Sequence, residues 1–290
     1  MLTEPAPAKV NLFLHVARAK ANGRHPLDSL VVFAGADAAD QVSARPANTL
    51  SLTITGPAAS TLGVGGDNLV LQAARALQQA AGVTSGAALT LEKHLPVAAG
   101  IGGGSADAAA ALRVLTRLWN LDPLHARAVA PALGGDVPVA LHGGSALMRG
   151  EGERVVPAAL PGALPALLVN PGLPCPTGPV FAAFDDAGGG EHFAETALPT
   201  FDTVNQLSAW LSGQRNDLEA PACSLLPALA GVAATLAALP AAGLARMSGS
   251  GATFWVLFPT LAAARDAGHS LSQTHPDWWV RATLLGEPVL

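Results

Sequence analysis

The stretch that most constrains this chain is Leu95–Ala110, LPVAAGIGGGSADAAA. It sets Gly100, Gly102, Gly103 and Gly104 within five positions and follows them with Ser105 and an alanine-rich run. Glycine accepts positive φ and lets a ligand come close to the backbone. Ala108–Leu118 consists of strong helix formers, with Leu112, Leu115 and Leu118 spaced for one face, and predicts a helix that Ser105 can cap. A glycine loop that feeds a helix N-terminus offers unpaired N–H groups and the positive end of a helix dipole, a combination suited to phosphate. No Gly-Lys-Ser/Thr closes the loop, so it is not a Walker A motif. Asp122 follows Gly102 at the distance of a ribose-binding acid, but it sits in the turn Asn-Leu-Asp-Pro and not at a strand end, which argues against a dinucleotide fingerprint. A flexible surface loop before a core helix has the same local look, so the rest of the chain must decide.

Half of the 290 residues are hydrophobic and 13% are charged, enough for a sizeable core in one large domain or two ordinary ones. A net charge of −5 argues against a broad nucleic-acid-binding face but leaves room for a nucleotide. Cys175 and Cys223 are too few for a disulfide framework or a zinc site, and a reducing, cytoplasmic setting is expected. MLTEPAPAKVNL lacks a basic segment followed by a long apolar one, so no signal peptide is expected. The uncharged runs 155–184 and 220–245 are broken by prolines, and no membrane span is predicted. A monomer or homodimer is expected.

In chain order, Ala8–Ala17 alternates Val10, Leu12, Leu14 and Val16 with Lys9, Asn11, Phe13 and His15, and reads as a strand with one buried face. Lys9 and Asn11 then share a face, either as a polar pair at a site or as a solvated strand end. Asn22–Pro26 is a turn carrying His25. Leu30–Phe33 and Thr49–Ile54 read as strands, and Leu69–Ala81 as an amphipathic helix that Asp67 or Asn68 can cap. Ala87–Leu91 is a strand, so the glycine loop joins a strand to a helix. Pro123–Leu133 is a helix ending at Gly134-Gly135-Asp136, where Asp136 is either a carboxylate held near a buried edge or a turn residue. Ser145–Met148 and Leu167–Asn170 read as strands around a proline-rich boundary at 155–166. Val180–Phe184 begins a helix, and Gly188–Gly190 with the residues after them read as a mobile insertion. Asn216-Asp217-Leu218-Glu219 precedes a long helical region through Leu239, broken by prolines. Ser248–Thr253 is a second glycine loop between strands Leu244–Met247 and Phe254–Phe258, before a helix at Leu261–Leu271 and a strand at Trp278–Leu284. The second half is α+β in character, a small sheet covered by helices.

PAKVNLFLHV at 7–16, LPVAAGIGGGSADAAA at 95–110 and MSGSGATFWV at 247–256 together resemble the three motifs of the GHMP kinase superfamily, and their spacing spans nearly the whole chain. Pro7–Leu12, Gly23-Arg24-His25, Asp67-Asn68-Leu69, Gly102–Asp107, Gly135–Pro138, Asn170-Pro171-Gly172 and Asn216–Glu219 resemble the branch that phosphorylates 4-diphosphocytidyl-2-C-methyl-D-erythritol on its 2-hydroxyl. The resemblance implies an α+β, two-domain fold. Residues 1–156 would form a domain like ribosomal protein S5 domain 2, and residues 157–290 a ferredoxin-like α/β sandwich, with the active site in the cleft between them.

The same resemblance implies ATP as cosubstrate with Mg²⁺, no nucleic-acid or membrane partner, and a cytoplasmic enzyme of the non-mevalonate isoprenoid pathway. It makes Asp136 the base and Lys9 its cationic partner. It puts ATP on Asn68, Leu69 and Lys93 and on the loop of Pro96, Val97, Ala98, Ala99, Gly100, Ile101, Gly102, Gly103, Gly104, Ser105 and Ala106. Ser105 either contacts phosphate or Mg²⁺ or only caps the helix. Asp107 either helps hold Mg²⁺ or only complements the helix dipole, and is left out of catalysis. The acceptor falls to Asn11, Arg24, His25, Thr177, Phe181, Gly249, Ser250 and Gly251, with Phe181 stacking on the cytosine. Members of the branch often carry Tyr where this chain has Arg24, whose guanidinium plane can also stack on a base. Another GHMP-type kinase or a non-catalytic nucleotide sensor are the competing readings. The first would have no use for His25 and Phe181, and the second no use for Lys9 with Asp136.

Overall fold

A computed structural model of the protein describes residues 1–62, 68–190 and 193–287. The first sheet takes β1 (Leu2–Pro7), β4 (Ala39–Ala47), β5 (Ser51–Thr55) and β6 (Gly86–Glu92) in the order β1-β4-β6-β5. The second takes β2 (Lys9–Val16), β3 (Leu27–Phe33), β7 (Ala146–Gly150) and β8 (Arg154–Pro157) in chain order. The third takes β9 (Leu164–Asn170), β10 (Ala245–Met247), β11 (Phe254–Leu257) and β12 (Trp279–Leu285), all antiparallel, in the order β10-β11-β9-β12.

Helices α1 (Leu69–Ala80), α2 (Gly103–Leu118), α3 (Pro123–Leu133) and α4 (Val137–His142) cover the first two sheets. At the centre, α2 buries Ala106 and Ala108–Ala111 completely or nearly so. These small side chains let α1, α3, α4 and strands β1 and β4 close in around it. The third sheet packs against α5 (Thr177–Asp186), α7 (Glu219–Leu225), α8 (Ala228–Ala237) and α9 (Leu261–Thr274). Between the two halves a third apolar cluster joins Val10, Leu12, Leu30, Leu95 and Ile101 to Leu168 and Trp255. Leu207 and Leu211 of α6 (Val204–Ser212) complete it.

Strand β2 departs from its expected one-sided burial, because all eight of its residues are buried. It has structure on both faces and along its free edge: Val10, Leu12 and Phe13 join the cluster between the halves, and Leu14 and Val16 join the core of the third sheet. Its edge is capped by main-chain bonds from Leu14 N–H to Arg215 O and from Asp217 N–H to Leu14 O, both 2.9 Å. A register shift between Asn11 and Phe13 re-aims the side chains.

Strands β1 and β4 escape the sequence pattern because Pro5, Pro7 and Pro46 discount it; β1 is an edge strand, where proline is tolerated. Helix α6 also escapes it, although Thr203 and Gln206 form a capping box. Helix α2 begins at Gly103 with Gly102 as its cap, so Ser105 lies inside the first turn and is not the cap. Asn68 caps α1, its Oδ1 accepting from Val70 N–H at 2.9 Å; Asp67 lies outside the described residues. Of the expected insertion, Gly190 packs on the end of β2 and accepts from Arg18 N–H at 3.1 Å, while Glu191 and His192 lie outside the described residues.

Arg246 of β10 ties the halves together. Its guanidinium donates to Leu12 O at 2.7 Å, Leu211 O at 2.9 Å and Gln214 O at 2.7 Å, and stacks 5.6 Å from the Trp255 ring centroid. The Trp255 indole N–H donates to Asn11 O at 2.9 Å. Arg246→Ala strands two buried carbonyls and a partly buried one, and is expected to lower unfolding free energy by about 3 kcal/mol or more in urea titration. Arg246→Lys is expected to recover less than half of the loss, because an ammonium cannot reproduce the planar fork. Near-wild-type stability of Arg246→Ala would remove Arg246 from this role.

Candidate active site

Two glycine loops meet backbone to backbone where the halves join. Gly100, at φ +73, has no room for a side chain: a Cβ there would lie 2.5 Å from Ser248 O and 2.6 Å from Gly251 O. Gly249, at φ +56, would meet Gly100 O at 2.7 Å. Thr253 N–H donates to Ala99 O at 3.2 Å, and Ser248 Oγ–H donates to Gly100 O at 3.1 Å. Asn216 holds the second loop from behind, its amide donating to Met247 O at 2.9 Å and Gly249 O at 2.8 Å. The hydroxyls of Thr177 and Ser250 lie 3.0 Å apart. Ala98 takes φ +52, a left-handed conformation costing about 1–2 kcal/mol without glycine.

This junction aims the N-terminus of α2 into a cleft of about 530 Å³. Among the described residues, the N–H groups of Gly103, Gly104 and Ser105 have no hydrogen-bond partner; Ala106 N–H is the first bonded, to Gly102 O at 2.9 Å. Three donors and a helix dipole converge there with no carboxylate in the first turn to satisfy them.

Lys9 and Asp136 come together beside these donors. The ammonium lies 2.9 Å from Asp136 Oδ2, with the lysine side chain 7% and the aspartate 32% exposed. Lys9 is fixed by its own N–H, which donates to Ile101 O at 2.9 Å. Asp136 occupies the cap of α4 yet makes no side-chain cap bond, so its carboxylate is left to Lys9 and the cleft. A Cβ on Gly102 would fall 3.3 Å from Lys9 Cβ and 3.5 Å from Asp136 Oδ2, so glycine keeps this corner open. Asn11 donates its N–H to Ser248 Oγ at 3.1 Å and its amide to Ser29 Oγ at 2.7 Å, leaving Oδ1 buried with no partner among the described residues.

Under the loop, Lys93 is buried between Asp40 and Asp107, at 2.5 and 2.7 Å. Asp40 also accepts the N–H groups of His94 and Leu95, so one carboxylate sets the direction of the chain entering the glycine loop. Burial pulls the Lys93 ammonium down, but the Asp107 and Asp40 charges outweigh it and its pKa is raised. Burial, with Asp40 adding, pushes the Asp107 carboxyl up to about 7 against the pull of Lys93. Nothing in the sequence marks Asp40 for this place: an aspartate in an alanine-rich strand carries no sign of burial.

At the other end of the cleft, the His25 ring packs on Phe181, centroids 4.7 Å apart and tilted 38°, and His25 Nε2 lies 2.8 Å from Asp185 Oδ1. The turn before His25 is anchored through Glu151, bonded by Lys20 and Asn22 at 3.1 Å each. Arg24 is largely exposed, its nearest charged partner being Glu151 at 3.7 Å.

Of the residues expected at the site, Lys9, Asn11, Asn68, Leu69 and Lys93 line the cleft, as do Pro96–Gly100, Gly102–Ser105, Asp136, Thr177, Phe181, Gly249 and Ser250. Asp107, Leu14, Leu62 and Met148 join them. Ile101 and Ala106 are buried behind the loop, Gly251 packs against Gly100, and Arg24 and His25 stand outside the cleft lining.

Residues 68–144 match the family model for the GHMP kinases N terminal domain. A 4-diphosphocytidyl-2-C-methyl-D-erythritol kinase of Hyphomonas neptunium is 58% identical over 97% of this chain and 95% of its own length. One from Cereibacter sphaeroides is 53% identical over 95% and 96%. The crystal structure of a 4-(cytidine 5'-diphospho)-2C-methyl-D-erythritol kinase is 35% identical and superposes with a TM-score of 0.76, covering 99% of this chain and all of that one.

Gly100→Ala forces backbone out of contact and is expected to cost several times more than Gly23→Ala, whose Cβ meets only open space and costs about 1–2 kcal/mol for its positive φ. Equal urea midpoints for the two variants would sink the interlock. A second expectation concerns pH. Asp107 has a higher pKa folded than its ordinary 3.8, so the folded state holds an extra proton between about pH 4 and 7. The stability gained from that proton is full at the acid end of this window and is lost as pH rises through about 7. The stability difference between Asp107→Asn and wild type therefore changes from pH 5 to pH 8; a constant difference would contradict it.

Proposed function

The chain belongs to the 4-diphosphocytidyl-2-C-methyl-D-erythritol kinases of the GHMP superfamily, and we propose that it transfers the γ-phosphate of ATP to the 2-hydroxyl of that alcohol. The products are the 2-phosphate and ADP, in the non-mevalonate route to isoprenoid precursors. It is an ATP-dependent phosphotransferase with an alcohol acceptor.

The observation that carries the catalytic assignment is the 2.9 Å contact of Lys9 with Asp136 beside the open N-terminus of α2. Phosphoryl transfer leaves the protein little covalent work and depends on positioning and charge. The unpaired N–H groups of Gly103, Gly104 and Ser105 receive ATP phosphate oxygens. Asp136 accepts the proton of the acceptor hydroxyl, and Lys9, 2.9 Å from it, offsets the charge developing on the attacking oxygen. Lys93 lines the nucleotide side from a buried position, where Asp40 and Asp107 already balance its charge.

Mg²⁺ fits this donor set as a metal carried mainly by the nucleotide. Among the described residues no three His, Cys, Asp or Glu side chains form a cage, and Mg²⁺ commonly takes one or two protein oxygens plus phosphates and water. The Ser105 hydroxyl, in the first turn of α2, is the protein oxygen we assign to it. When bound, the ion neutralises phosphate charge.

We divide the chain between residues 156 and 157. In support, the second sheet ends with β8 at Pro157, one residue past this division, and β9 opens the third at Leu164. We assign the enzyme to the cytoplasm: both cysteines are free, and among the described residues no helix is long and apolar enough to cross a membrane. The expectation of a monomer or homodimer is retained.

Asp136→Asn is expected to lower kcat by about 10²–10⁴-fold while ATP affinity stays within a few-fold of wild type. A coupled ADP-release assay with the diphosphocytidyl substrate, paired with nucleotide titration, reads both. Turnover close to wild type would remove Asp136 as the base.

A further inference from the structure

The reaction assigned above requires the protein to read a cytosine, and the structure holds a histidine whose ring nitrogen meets a carboxylate. His25 Nε2 is 2.8 Å from Asp185 Oδ1, and the imidazole is almost covered, 9% exposed against 41% for the aspartate. Asp185 and Phe181 lie four residues apart on α5, so both reach the same side of the helix and meet His25 together. Phe184 closes against the imidazole edge-on, with centroids 5.9 Å apart. The ring is thus gripped by two aromatics and one carboxylate. Its Nδ1 has no hydrogen-bond partner among the described residues. Phe181 is shared with the cleft lining, which places this cluster at the edge of the substrate cavity.

We propose that Asp185 is a positioning residue for base selection: it holds His25 as the tautomer whose unprotonated Nδ1 accepts a hydrogen bond from the amino group of cytosine and disfavours uracil. The inference rests on the reading of the substrate given above. A carboxylate only accepts, so the proton of a neutral His25 must sit on Nε2, and Nδ1 keeps a lone pair. Cytosine presents an amino donor where uracil presents a carbonyl oxygen. Against a bare Nδ1, the amino group makes a hydrogen bond and the carbonyl sets two acceptors face to face. Polar groups left unpaired in this way discriminate far better than shape alone. Arg24 lacks the means to enforce the same choice, since its exposed guanidinium only donates.

Steady-state kinetics of wild type, Asp185→Asn, Asp185→Ala and Asp185→Glu, with the cytidine substrate and its uridine analogue, test the proposal. An Asn amide can donate to Nε2 as well as accept from it, and Ala leaves Nε2 to water, so either change frees the tautomer. The cytidine-to-uridine ratio of kcat/KM is expected to fall about tenfold or more in both variants, the worth of roughly one hydrogen bond. The change should appear in the acceptor KM, with kcat and the KM for ATP within about twofold of wild type. Asp185→Glu should restore part of the ratio. Nitrogen-15 NMR of the wild-type imidazole should show Nε2 protonated and Nδ1 bare, with the tautomers mixed in Asp185→Asn. Thermal melting confirms that the variants are folded. An unchanged ratio in folded Asp185→Asn and Asp185→Ala, while wild type turns over the cytidine substrate, overturns this role alone. Absence of wild-type turnover of that substrate overturns the functional reading beneath it.

Discussion

The contact of Gly100 with the backbone of Ser248–Gly251 is the constraint on which the site depends. Two loops from different halves touch with no side chain between them, and the carbonyl of Gly100 takes the Ser248 hydroxyl. Because the chain leaving this contact turns directly into α2, the direction of that helix is set by the junction of the halves. Ile101, one residue further on, accepts the main-chain N–H of Lys9. One backbone contact therefore aligns the phosphate-facing helix terminus, the lysine beside it and the second glycine loop. No reorganisation of these dipoles is then needed when charge develops, the condition under which electrostatic catalysis is most effective.

Two lysines close to this junction illustrate opposite uses of charge. Lys93 is sealed between two carboxylates, and its ion pairs fix the path of the chain through Asp40. Such a buried triad adds little to net stability, since desolvation offsets most of the attraction. Among the described residues Lys9 has a single carboxylate partner, and that partner is one-third exposed. Its field is only partly cancelled and stays available to a substrate in the cleft. The difference between a structural and a chemical lysine here is the number of carboxylates each one faces.

Much of this was legible in the residue pattern. The helix at Pro123–Leu133 matches its expected ends, and α1 and β6 fall within about a residue of theirs, because local capping and periodicity define them. Where the pattern misled, a neighbour distant in sequence had intervened. Strand β2 alternates apolar and polar residues as if one face were wet, yet both faces are covered by parts of the chain more than a hundred residues away. Ser105 looks like a cap, but Gly102 takes that place because its left-handed conformation lets the loop turn into the helix earlier. Asp40 carries no local mark of its role, which exists only because Lys93, His94 and Leu95 are folded onto it.

The sequence by itself determined the chemical type of the site: a glycine loop opening a helix, a lysine and an aspartate in their motif settings, and a second glycine loop. These are matters of backbone freedom and side-chain identity, written locally. Only the tertiary structure decided which charges stand free and which are spent on one another. It brought Lys9 to Asp136 and shut Lys93 between Asp40 and Asp107. It also turned His25 toward Asp185 while leaving Arg24 in solvent near Glu151. Burial and pairing depend on segments far apart in the chain, and no local pattern encodes the distance between them.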